Sequence, residues 1–145
     1  MLTLDQANTI IDRALARGRE LKLAPLTVVM LDAGGHMVAM QRQDESGILR
    51  PQIALGKAWG SLGMGETSRA LGERLKNAPY FVTALQTMSD GRVVPAPGGV
   101  LIRDAGGRIV GAVGISGDIS AKDEACAIAG VQAAGYRSEP AEPEL

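Results

Sequence analysis

Five side chains stand where type and spacing could do chemistry: Arg50, Lys57, Asp123, Glu124 and the single histidine, His36. Arg50 and Lys57 are spaced by nearly two helical turns, so on a helix they share a face. A guanidinium fork beside an ammonium point charge could hold a small carboxylate there. The plain alternative is a solvated basic edge. Asp123 and Glu124 are adjacent acids at the start of a candidate helix. Both suit the helix dipole, and Asp123 has the spacing of a capping partner for Ser120. Beside a glycine loop, Glu124 could instead move a proton and Asp123 could bind a ligand.

The glycine loop is Gly111-Ala112-Val113-Gly114-Ile115-Ser116-Gly117. Its glycines recur every third residue. Amides at Gly117 and beyond could cradle an anion at the helix start, or the glycines could simply let another backbone pack closely. No Gly-Lys-Ser/Thr follows, so it is not a phosphate loop of the nucleotide-binding kind. Pro97-Gly98-Gly99 could present N–H groups to a ligand or form a plain turn. His36 sits beside a turn and is the only histidine that could ligate haem iron. Cys126 would need a partner base to act as a nucleophile, and it reads as buried and structural.

Composition narrows the field. The chain has 145 residues, 46% of them hydrophobic and 3% aromatic, with 19 glycines, one histidine and one cysteine. That suits one domain with its own core. One cysteine excludes an internal disulfide, and one His with one Cys excludes a Cys/His zinc site closed within the chain. A net charge of -1 and few aromatics argue against nucleic acid as a partner. Met1 to Gln6 has no basic stretch leading into an apolar one, and no apolar run approaches a membrane span. A cytoplasmic protein with no membrane partner is expected.

The elements that must position these residues follow in order. Thr3 and Gln6 form a capping box ahead of an apolar stripe at Ala7, Ile10, Ile11, Ala14, Gly18 and Leu21. Pro25 ends that helix. Leu26 to Leu31 reads as a buried strand and His36 to Gln41 as its hairpin partner across Asp32-Ala33-Gly34-Gly35. Val100 to Arg103 and Arg108 to Ile115 repeat the design around Asp104-Ala105-Gly106-Gly107. Between the hairpins a helix starts at Pro51, with Gly60, Gly63 and Gly65 loosening its end. Thr67 caps a short helix to Leu75, and Pro79 opens another to about Met88. Ser89 to Gly99 is loop, with a possible short strand at Arg92 to Val94. A last helix follows Ile119 and stops at Gly135. The domain is expected over residues 1–137, with a disordered tail over 138–145. The order predicts an α+β, three-layer α/β/α sandwich around an antiparallel sheet.

Asp32-Ala33-Gly34-Gly35, Lys57-Ala58, Pro97-Gly98-Gly99-Val100, Val110 through Gly117, Asp123-Glu124, Ala127 and Ala129-Gly130 occur in that order. Together they resemble the GlcG/HbpS family, also found as the C-terminal domain of PduO-type proteins, over roughly Leu4 to Gly135. The resemblance implies a profilin-like fold with a five-stranded antiparallel sheet, and a homo-oligomer. It implies a small-molecule ligand, with haem or another tetrapyrrole as the candidate cofactor, and a place beside small hydroxy-acid or diol metabolism. In PduO-type relatives a histidine of the N-terminal helix ligates haem. Here that helix carries Arg13, Arg17, Arg19 and Glu20 and no histidine; His36 does not match that position and is the candidate metal ligand only if haem is bound.

Three functions follow from these residues. The first is a haem- or tetrapyrrole-type binding protein. The second is an enzyme acting by acid/base chemistry on a small carboxylate or lactone. In it Arg50 and Lys57 hold the acid group, Lys57 or Glu124 moves the proton, and Gly98, Gly99, Gly117, Asp123 and Glu124 line the site. The third is a ligand-free accessory oligomer.

Overall fold

The computed structural model describes residues 1–145. In chain order the elements are α1 (Leu4–Glu20), β1 (Thr27–Asp32), β2 (Met37–Arg42), α2 (Arg50–Met64), α3 (Ser68–Arg74), α4 (Pro79–Met88), β3 (Gly99–Arg103), β4 (Ile109–Ser116), α5 (Ser120–Ala133) and β5 (Arg137–Glu139). The sheet order is β2-β1-β4-β3-β5, and every neighbouring pair is antiparallel. This is the expected α+β sandwich with five strands.

The two faces follow from side-chain alternation along the strands. Val28, Met30, Val100, Ile102, Val113 and Ile115 turn to one face, where they pack with Ile10, Ile11 and Ala14 of α1 and Cys126, Ala127 and Val131 of α5. Val29, Leu31, Leu101 and Ala112 turn to the other, against Ala54 and Ala58 of α2. β1 is apolar from Val28 to Leu31 because both of its faces are covered there.

α1 starts on the Thr3/Gln6 capping box with both bonds formed. α2 runs unbroken through Gly60 and Gly63 and ends at Gly65, which has φ +68°. The expected loosening is absent because Gly56 and Gly60 are packing positions. A Cβ on either would meet Val94 or Val93 of the loop laid along the helix. That loop is not a strand at Arg92 to Val94; Val94 N donates to Gly56 O instead.

The tail departs from expectation at its start. β5 pairs with β3, matching Ile102 with Ser138, and Gln132 donates to Ser138 Oγ and Ala141 O. The exposed edge of β3 needed hydrogen-bond partners, and the chain after Gly135 supplies them. Ser138 and Glu139 of the fifth strand therefore come from the segment expected to be disordered, and Arg137 from the end of the expected domain.

Candidate functional site

The glycines place the site. Gly99 of β3 and Gly114 of β4 are register partners on the sheet face under α2. A Cβ on Gly114 would run into Ala54 O, and one on Gly99 into Lys57 O. The helix backbone therefore lies directly on the sheet. Gly117 makes a similar close approach to Pro25 O. Close packing, one of the two readings of the period-three glycines, accounts for these positions.

This approach carries Lys57 into the interior. Its side chain is 3% exposed, and Nζ donates to Ile115 O at 2.8 Å and to Asp123 Oδ2 at 3.4 Å. Gly98, with φ +127°, passes so close to the lysine that a Cβ would touch its Cδ and Nζ. Asp123 is 1% exposed, and its Oδ1 accepts from Asp118 N at 2.9 Å. It is therefore not the capping partner of Ser120. The N-cap of α5 is Ile119, which has no side-chain cap, and Asp118 Oδ1 accepts from its N–H. Asp123 instead joins the loop before α5 to Lys57 of α2. Burial pushes Lys57 below its ordinary value and Asp123 above its own, and their mutual attraction opposes both shifts.

Arg50 and Lys57 are not joined over a common ligand space. Arg50 Nη1 donates to Ser116 Oγ at 3.0 Å, and the Lys57 ammonium points to Ile115 and Asp123. Glu124 is fully buried. Its Oε1 pairs with Arg69 Nη2, and its Oε2 has no hydrogen-bond partner. Burial raises its pKa against the pull of Arg69. Ser61 Oγ donates to Lys57 O, and Ser68 Oγ accepts from Gly99 N, both at 2.7 Å. Sequence reasoning missed Arg69, Ser61, Ser68 and Ser116. No spacing rule connects position 69 on a seven-residue helix to position 124 on another.

Cys126 lies in the α1/α5 core with no hydrogen bond, and burial pushes its thiol up to about 12. The thiolate is the reactive form, so native protein at pH 8 should resist iodoacetamide for hours. The same protein in denaturant should react within minutes by mass spectrometry.

His36 is elsewhere, at the far end of the β1–β2 hairpin. Its side chain is 81% exposed, and Nδ1 lies 3.2 Å from Asp32 Oδ1. The same carboxylate oxygen accepts from the backbone N–H groups of Gly34 and His36, which holds Asp32 below the ordinary carboxylate range. A cleft of about 370 Å³ opens beside this pair. Met1, Leu2, Ile109 and Val110 give it apolar walls, and Arg108 lines it together with His36. A hollow of about 430 Å³ near Arg19, Arg42 and Asp44 is larger, but only one of its lining residues is apolar and none belongs to the expected site. No group of three or more His, Cys, Asp or Glu side chains could hold a metal ion without further ligands. No helix is long and apolar enough to cross a membrane.

Fold and site thus define a small α+β domain with a sealed polar interior at Lys57 and an open, histidine-edged cleft away from it. The chain belongs to the HbpS-like family: the model described as haem degrading protein HbpS-like matches residues 2–132. The C-terminal domain of PduO in complex with heme has the same fold, with TM-score 0.82 and 24% identity over 93% of this chain and 96% of that one. The ORFY protein of Klebsiella pneumoniae gives 0.81 and 22% over 92% and 90%, and HbpS gives 0.77 and 23% over 90% and 88%. An uncharacterized 15.0 kDa protein from the dhaT-dhaS intergenic region of Citrobacter freundii is 25% identical over 122 residues, 84% of each chain.

Proposed function

We propose that this protein binds haem, or a closely related iron tetrapyrrole, in the cleft beside the β1–β2 turn, with His36 as the iron ligand. The observation that carries the reading is the His36–Asp32 pair at the lip of an apolar-walled cleft. With the Nδ1 proton donated to Asp32, the lone pair of Nε2 is free and faces no protein partner. A histidine oriented by a carboxylate through its other nitrogen is the usual arrangement of an imidazole metal ligand. The apolar walls suit a macrocycle, and Arg108 suits a propionate at its edge. Haem, when bound, supplies a redox-active iron. Membership of the HbpS-like family and the fold shared with a heme-complexed domain support the choice of ligand.

Acid/base catalysis at Lys57 is the weaker reading. Its ammonium is already engaged by Asp123 and a carbonyl, with the side chain shut away from solvent. A homo-oligomer is part of the proposal, since edge strand β2 leaves Met37 and Met40 exposed.

Titration with ferric haem tests the reading. A saturable Soret shift near one equivalent is expected. His36→Ala should weaken binding by about tenfold or more, the loss of roughly 1.4 kcal/mol. Asp32→Asn should weaken it less, because the imidazole stays while its orientation is released. Absence of a saturable shift, or an unchanged spectrum in His36→Ala, overturns the assignment.

A further inference from the structure

Glu124 is the one buried side chain left with an unmet polar atom. Its Oε1 is held by Arg69, and its Oε2 has no donor. A buried carboxylate oxygen without a partner costs about 1–3 kcal/mol or more, so such an atom calls for a function or a missing ligand. Arg69 shows where a ligand would come from. Its guanidinium spans from the interior to the surface: Nη2 reaches Glu124, and Nη1 reaches Glu144 at 2.8 Å. Glu144 belongs to the C-terminal tail and is 70% exposed. The arginine fork is therefore occupied on its outer side by a carboxylate tethered to the chain's own end.

A surface ion pair of this kind is worth little, roughly 0–1 kcal/mol, so a free carboxylate can compete for the same position. Such a ligand would share the Arg69 guanidinium with the Glu124 carboxyl, as Glu144 does now. To reach Oε2 it would need a hydrogen-bond donor on the carbon next to its own carboxyl. We propose that Arg69 and Glu124 form a binding site for a small 2-hydroxy- or 2-amino-carboxylate, and that Glu144 of the tail fills the outer half of that site until the ligand displaces it. The ligand's carboxylate takes Arg69 Nη1, and its hydroxyl or ammonium donates to Glu124 Oε2. This site involves neither His36 nor its cleft, so it stands or falls apart from haem binding.

Calorimetry on the 145-residue chain tests it with lactate, alanine and propionate as probes. Glu144→Gln removes the competing carboxylate at an exposed position and should not disturb folding. It is expected to tighten lactate or alanine binding by about three- to fivefold over the wild type, the most that displacing such an ion pair can return. Propionate, which lacks the donor, should bind at least tenfold more weakly than the better of the two. Lactate against alanine tells hydroxyl from ammonium. Glu124→Gln should erase the preference over propionate, and Arg69→Lys should weaken all three while sparing the fold better than Arg69→Ala. His36→Ala should change none of these values. The proposal is overturned if Glu144→Gln binds the three probes no better than wild type, or if the preference for the 2-substituted acids survives Glu124→Gln.

Discussion

Replacing Lys57 by Met is expected to remove about 3–5 kcal/mol of stability, a large fraction of the roughly 5–15 kcal/mol that holds a domain of this size together. The apolar stem of Met fills the space of the lysine stem, so a cavity is not the main cost. The cost is Asp123. Its Oδ2 loses the ammonium and stays buried at 1% exposure, with only Asp118 N still donating to the other oxygen. In thermal unfolding the loss should appear as a fall of roughly 10 °C. The double variant Lys57→Met with Asp123→Asn should recover most of it, because a buried ion pair replaced as a pair is often close to neutral. Asn keeps an oxygen for the Asp118 amide. A single variant within about 0.5 kcal/mol of wild type would show that Lys57 and Asp123 are not the buried pair described.

The pH dependence has a defined sign. The folded-state pKa of Asp123 and of Glu124 lies above the unfolded value, because burial opposes the charge. The native state therefore binds more protons than the unfolded one between those values, and this contribution to stability falls as pH rises through the window. Asp32 and Asp118 act oppositely. Backbone N–H groups lower their pKa values, so their contribution is present above the unfolded value and is lost as pH falls through the folded one.

The second large effect is expected at Gly114. Its Cβ position coincides with the carbonyl of Ala54 and the amide of Ala58, which are helix backbone and cannot swing aside. Gly114→Ala must push α2 off the sheet at the point where Gly99 makes the matching approach. Overpacking of this kind costs about 1–3 kcal/mol and more when the obstacle is rigid, so a loss near 3 kcal/mol is expected by denaturant unfolding. Gly63→Ala is the control. That position is inside the same helix and faces open space, so alanine should add about 0.5–1 kcal/mol through its helix preference. Equal effects at the two positions would contradict the packing account.

These residues also show what was legible in the sequence. The capping box at Thr3 and Gln6, the two Asp-Ala-Gly-Gly turns and the β-branched strands are local signals, and each element formed where its signal lay. The glycine spacing was visible too, but its reason was not. Gly99 and Gly114 face the same helix only because β3 and β4 pair in that register, and a pairing register is a long-range property. The same limit hid β5, whose residues acquire strand character only from the open edge of β3. Lys57, Asp123 and Glu124 stood out by type and position. Their division into two separate pairs depends on Ile115 O and Arg69, which no local pattern marks. His36 was singled out by count alone, and the apolar cleft beside it comes from two hairpin ends and the N-terminus meeting in space.

The central claim, iron held by His36, has one direct measurement, made possible by the single histidine in the chain. Protein labelled with ¹⁵N at histidine only, loaded with ferric haem, can be read by pulsed electron paramagnetic resonance for hyperfine coupling between the iron and a labelled nitrogen. The account predicts a strong coupling from one imidazole nitrogen, lost in His36→Ala. Haem bound at one equivalent with no labelled-nitrogen coupling would contradict it.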